Sequence, residues 1–178
     1  DLIQKLIKRY YDEEEVTVFT GGSSVAEILS LQPFNHLLFT GSSKNAANVM
    51  KSASENLVPV TLELGGKSPN IYFKDVMTGS DDYISRCVEG FLHAYFNQGE
   101  VCTCPSRVLI QEDIYEPFIE LVKKRVQGLN CGSPFDLNTQ VGAQASGEQF
   151  EKIMSYMDVA NQEGAETLFG GDARSMTG

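Results

Sequence analysis

Two side chains in this sequence could do covalent chemistry together. Cys102 lies in Phe96-Asn97-Gln98-Gly99-Glu100-Val101-Cys102, a short polar, glycine-bearing segment after an apolar helical stretch. Glu63 lies in Glu63-Leu64-Gly65-Gly66-Lys67, where an apolar strand gives way to two glycines. A thiol and a carboxylate, each at the end of a regular element, suit a nucleophile and a base. Each also has a plainer reading. Cysteines are commonly small buried hydrophobes, although Asn97, Gln98 and Gly99 make a poor core segment and a loop thiol can be exposed and reactive. Glu100 works weakly against the thiolate, because a nearby carboxylate disfavours it. Alternation along the strand puts Glu63 with Thr61, opposite Leu62 and Leu64. There it is either a strand-end carboxylate facing water or Lys67, or a partly buried base, and spacing alone leaves both open.

The elements that must position these residues alternate at short spacing. Residues 1–11 read as an amphipathic helix with Leu2, Ile3, Leu6, Ile7 and Tyr10 on one side. The acidic run Asp12 to Glu15 reads as a solvated turn, and residues 16–20 as a buried strand. Ser24-Val25-Ala26-Glu27 has a capping-box pattern, so a short helix should follow to about Leu31. Strands are expected at 36–40 and 58–64, with a helix opened by Gly41-Ser42-Ser43 between them. Further on, strands are expected at 70–73, 107–111 and 167–169, and helices at 81–96, 115–126 and 150–162. A loop rich in Gly, Asn, Pro and Ser covers 128–142. This pattern predicts an α/β protein with a parallel sheet flanked by helices. About three strands precede residue 65, fewer than the five or six of a doubly wound nucleotide fold, and the first βα unit with its glycine-rich fingerprint is not in the sequence.

Composition narrows the partners. The 178 residues are 42% apolar, enough for a core, and carry a formal net charge of −10. Such a surface repels nucleic acid and anionic membrane, and no apolar run approaches the ~20 residues that span a bilayer. The four cysteines, Cys87, Cys102, Cys104 and Cys131, match no zinc spacing and have only His36 and His93 for company, so no metal site is predicted. Free thiols fit a reduced, cytoplasmic protein best. Cys87, Cys104 and Cys131 are most simply structural, and both histidines read as packing or surface residues. Thr40-Gly41-Ser42-Ser43 joins a strand to a helix, a place where N–H groups and the helix dipole favour phosphate. Many ordinary turns share that composition.

Taken together, these segments resemble the aldehyde dehydrogenase superfamily over nearly the whole chain. Val60-Thr61-Leu62-Glu63-Leu64-Gly65-Gly66-Lys67-Ser68-Pro69-Asn70 is similar to the family's glutamate signature. Phe96 to Cys102 is similar to its cysteine signature, with Arg107 at the usual distance, and Phe39-Thr40-Gly41-Ser42-Ser43 to its cofactor-phosphate turn. The resemblance implies that Cys102 attacks an aldehyde carbon to give a thiohemiacetal. Hydride then passes to NAD or NADP, and Glu63 activates the water that hydrolyses the remaining thioester. It implies Gly41 and Ser42 near the cofactor pyrophosphate, the main chain of Leu64 near the nicotinamide amide, and Lys67 ordering the glutamate turn. It also implies a main-chain oxyanion donor at Cys102, a small-molecule aldehyde as substrate, and a homo-oligomeric full-length enzyme.

The expected architecture is a truncated aldehyde dehydrogenase-like fold. Residues 1–64 would end a Rossmann-like parallel-sheet cofactor domain, and residues 65–178 would begin an α/β catalytic domain. Complete enzymes of this family are more than twice as long, so the chain resembles a central piece, and the isolated polypeptide is expected to be inactive. Two positions depart from the pattern: Ala46 stands where the phosphate turn often carries glycine, and Glu100 where glutamine is more frequent. The segment from about Asn70 onward resembles a bacterial branch acting on small aldehydes, and the first 70 residues a branch acting on aromatic or long-chain ones. The rival readings are an acylating enzyme that passes the thioester to coenzyme A, a non-catalytic structural or binding relative, and a thiol hydrolase. Glu63 counts against the first, the joint presence of Cys102 and Glu63 against the second, and the absence of a histidine near Cys102 in sequence against the third.

Overall fold

A computed structural model describes residues 2–171 of the chain. Asp1, expected to begin the first helix, lies outside the described residues, as do residues 172–178 at the end of the expected catalytic portion. The fold is α/β, and the chain divides into two compact units between Gly65 and Gly66.

The first unit contains α1 (Leu2–Tyr10), α2 (Ser23–Ser30), β1 (Leu37–Gly41), α3 (Ser43–Ser54) and β2 (Val60–Leu64). The two strands pair in parallel, Leu37 with Val60 through Gly41 with Leu64. Parallel neighbours need a crossover, and α3 supplies it, packing against both strands. Ala46 and Ala53, seven residues apart on one helical face, are only 2% and 1% exposed. The small side chains let α3 lie close on the strands, so alanine serves at position 46 in place of glycine. Ser42 caps the helix, its Oγ accepting from the Asn45 N–H at 3.3 Å. At the other end the chain turns through Leu57 in the left-handed region (φ 54°), with the Val58 N–H donating back to the Ala53 carbonyl at 3.0 Å.

The second unit contains β3 (Pro69–Tyr72), α4 (Asp81–Leu92), β4 (Arg107–Ile110), α5 (Tyr115–Gln127) and α6 (Gly147–Gln162). Again the strands are parallel, Pro69 with Arg107 through Tyr72 with Ile110. Tyr72, Val76, Val88, Ile114, Phe118 and Val122 form the core. Phe118 is fully buried, and its ring centroid lies 4.5 Å from that of Tyr72. The Tyr72 hydroxyl donates to the Cys87 carbonyl at 3.2 Å and accepts from Asn70 Nδ2, which also donates to the Gly90 carbonyl at 3.1 Å. These bonds fasten β3 to α4, and an Arg125–Glu89 ion pair fastens α5 to α4.

Four expectations need correction. Residues 16–20 form no strand: a strand is a pairing, and the hydrogen bonds made there are the Val16 N–H donating to the Asp12 carbonyl at 2.9 Å and the Gln4 side-chain amide donating to the Val18 carbonyl at 3.2 Å. Residues 167–169 likewise join no ladder. The capping box at Ser24 does not form, because the helix begins at Ser23 with Gly22 as its cap and no side-chain bond. The helix expected over 81–96 stops at Leu92, and the chain then turns toward three successive left-handed residues, Asn97 to Gly99, whose conformation no α-helix accommodates. In the first unit the apolar side of α1 is also uncovered, with Leu2, Ile3, Leu6 and Tyr10 exposed.

Candidate functional site

Glu63 is the fourth residue of β2, opposite Thr40 of β1. Burial alternates along the strand as expected: Val60, Leu62 and Leu64 are half-buried, whereas Thr61 and Glu63 are exposed. The same open face carries Leu38 and Thr40 of β1, and His36 Nε2 lies 2.9 Å from Thr61 Oγ1. The carboxylate thus projects from the carboxyl end of a parallel strand, the end where open α/β sheets bind ligands.

The proposed cofactor residues meet at that same end. Gly41 and Leu64 are register partners, and Ser42 follows directly as the cap of α3. A Cβ on Gly41 would sit 2.6 Å from the Phe39 ring, so the bare backbone there lets the ring fold over the strand end. Ser42 satisfies one first-turn N–H through its hydroxyl, and the remaining first-turn donors of α3 point off its N-terminus. A strand end without a side chain, followed by a helix N-terminus, is a cradle of the right chemistry for a pyrophosphate. Gly41 and Leu64 are the last residues of their strands, and Ser42 opens the helix that follows. The register that sets Gly41 beside Leu64 comes from the structure.

Cys102 belongs to the second unit. Its loop starts with a 3₁₀ turn, Phe96–Gly99, in which Asn97 (φ 47°), Gln98 (φ 60°) and Gly99 (φ 76°) are all left-handed. Glycine adopts that conformation freely, whereas glutamine does so at a cost. A second tight turn follows, closed by the Cys104 N–H donating to the Val101 carbonyl at 3.0 Å, with Cys102 and Thr103 at its tip. Cys102 is exposed. Cys104 is buried, its thiol 3.6 Å from the Phe96 carbonyl, while Cys87 is half-buried on α4. Cys131, read as structural, proves to be exposed, in a bridge with Val141. Beside the Cys102 turn lies an open cleft of about 430 Å³, lined by Asn70, Gly90, His93, Phe96, Thr103 and Cys104 among others.

Two further attachments position these segments. Arg107 Nε donates to the Lys67 carbonyl at 2.7 Å, so the segment leading into β3 is held through the main chain of Lys67. The segment 143–145 reaches the cysteine loop: Gln98 Nε2 donates to the Ala143 carbonyl at 3.0 Å, and the Glu100 carboxylate accepts the Ala145 N–H at 3.1 and 3.3 Å. Sequence reading missed this strap, because nothing local marks a contact across 45 residues. Among the described residues no group of three or more His, Cys, Asp or Glu could hold a metal ion, and no helix is long and apolar enough to cross a membrane.

The family model "Aldehyde dehydrogenase family" matches residues 3–178. The chain is 53% identical over 142 residues to the acetaldehyde dehydrogenase of Pseudomonas aeruginosa, which covers 80% of this chain and 28% of that protein. It is 46% identical over 179 residues to the long-chain-aldehyde dehydrogenase of an Acinetobacter species, covering 99% of this chain and 36% of the relative. The crystal structure of betaine aldehyde dehydrogenase from Staphylococcus aureus in complex with NAD+ superposes with a TM-score of 0.87 at 33% identity, over 97% of this chain and 34% of that one. The chain therefore spans about a third of the length of the proteins it matches.

Proposed function

The chain belongs to the aldehyde dehydrogenase family, and from that premise we propose that the protein carrying it oxidises an aldehyde to a carboxylic acid with NAD or NADP. The observation that carries this reading is the exposed Cys102 thiol at the tip of a braced turn, within a family match over residues 3–178. Cys102 Sγ adds to the aldehyde carbon, and its own main-chain N–H supports the oxyanion that forms. The chemistry contributed by the dinucleotide, when bound, is acceptance of a hydride. Gly41, Ser42 and the N-terminus of α3 would hold its pyrophosphate, and the main chain of Leu64 would hold the amide end. Cys102 then retains the acyl group as a thioester. Glu63 takes a proton from the attacking water, and the thiolate leaves as the carboxylic acid forms.

The same reading assigns the first unit to the cofactor domain and the second to the catalytic domain. The full-length protein is then a cytoplasmic homo-oligomer, with a small-molecule aldehyde as substrate and neither nucleic acid nor membrane as partner. The 178-residue chain alone is expected to show no turnover. In the full-length protein, Cys102→Ser should abolish aldehyde-dependent cofactor reduction. Glu63→Gln should leave a burst of reduction followed by an acyl-enzyme detectable by mass. Unaltered steady-state turnover in Glu63→Gln would refute the base assignment. Turnover that requires coenzyme A would favour the acylating alternative.

A further inference from the structure

Asn97 and Gln98 are successive non-glycine residues in the left-handed region, directly before the segment that carries Cys102. Such a run persists only where surrounding structure holds it. What holds it is the strap at 143–145. Gln98 grips both sides of residue 143 to 144, donating to the Ala143 carbonyl at 3.0 Å and accepting from Gln144 Nε2 at its own main-chain carbonyl at 3.4 Å. Glu100 makes the third attachment, with both carboxylate oxygens within 3.3 Å of the Ala145 nitrogen. A carboxylate accepting a main-chain N–H is stronger than a neutral pair. One residue, Val101, separates Glu100 from Cys102, and the Val101 carbonyl closes the turn on which Cys102 sits. A displacement of Glu100 therefore passes to the thiol through very few bonds.

We propose that Glu100 is a positioning residue for Cys102: its carboxylate, tied to the Ala145 main-chain N–H, fixes the left-handed turn and so the place of the thiol. The proposal rests on the reading of Cys102 as nucleophile. It accounts for the acid at this position without giving it a proton-transfer role, since the carboxylate is engaged as an acceptor.

The test compares Glu100→Ala and Glu100→Gln in the full-length protein, with thermal melting to confirm folding. Glutamine keeps one acceptor oxygen for Ala145, and alanine keeps none. In Glu100→Ala, kcat should fall about 10- to 100-fold from misplacement of the reacting group, with KM for the nicotinamide cofactor changed less than about threefold. Hydrogen exchange at the Ala145 amide should accelerate in that variant. In Glu100→Gln, kcat and amide protection should both return to within about threefold of the parent. Parental kcat in Glu100→Ala despite faster Ala145 exchange overturns the proposal, and so does a Glu100→Gln as slow as Glu100→Ala. Failure of the underlying reading is seen separately, as turnover that survives Cys102→Ser.

Discussion

Replacing Phe118 by alanine should both destabilise the second unit and change the titration of a tyrosine. Phe118 is 0% exposed, and its ring centroid lies 4.5 Å from that of Tyr72. Truncating a fully buried phenylalanine costs about 3–5 kcal/mol in lost transfer energy and cavity formation. About 0.5–1.5 kcal/mol of that range reflects the aromatic pair. Phe118→Leu retains most of the volume and should cost about 1–2 kcal/mol. Tyr72 supplies an independent local readout. Burial, more than any other cause, pushes its phenol up from 10.0 to about 12, against the opposing hydrogen bond from Asn70. Opening the core beside it admits water, so in Phe118→Ala its titration should move back toward 10. Denaturant unfolding measures the first effect. Phenolate absorbance, taken as the difference between each protein and its Tyr72→Phe counterpart, measures the second. The sign for stability follows directly: a group whose pKa is higher folded than unfolded stabilises below the unfolded value, so this contribution is intact below pH 10 and fades between pH 10 and 12. A loss under about 1 kcal/mol in Phe118→Ala, or a Tyr72 titration that stays near 12, would show that this ring does not seal the core.

Other outcomes follow from exposure and backbone geometry. Iodoacetamide should label Cys102 and Cys131 in the native protein, as peptide mass mapping would show, while Cys104 reacts only after denaturation. Early labelling of Cys104 would contradict its placement under the turn. Leu57 is 88% exposed at φ 54°, so Leu57→Gly loses little packing and relieves left-handed strain of about 1–2 kcal/mol, offset by about 0.5–1 kcal/mol of unfolded-state entropy. A small rise in Tm is expected, and a fall would mean that the Leu57 side chain makes a contact worth more than its backbone costs. On the proposed mechanism, Cys102→Ser and Glu63→Gln in the full-length protein should separate the two halves of the reaction, the first losing hydride transfer and the second retaining one turnover.

The segments that carry the proposed site were legible because they are local. The glutamate and cysteine segments are contiguous runs, and strand alternation alone places Glu63 opposite Leu62 and Leu64. Helix positions followed from apolar spacing, whereas the caps came from the structure: the Ser80 and Ser146 hydroxyls accept from the Tyr83 and Gln149 N–H groups, and α6 begins at Gly147, three residues before the expected start. The errors were of two kinds. Residues 16–20 and 167–169 have strand-like composition, but a strand exists only through a neighbour, and composition does not supply one. Helix ends were misjudged where backbone geometry decides, at Gly22 and at the left-handed run after Leu92.

The sequence by itself determined the α/β alternation and the family, and it singled out Cys102 and Glu63 as the proposed reacting pair, because the motifs that carry them are consecutive in the chain. Tertiary structure decided how those residues are held. The parallel register sets Gly41 beside Leu64, Arg107 ties the main chain at Lys67, and Ala145 binds Glu100 from 45 residues away. Such contacts form only once distant segments pack together, since each is a hydrogen bond between groups with no local periodicity to announce it.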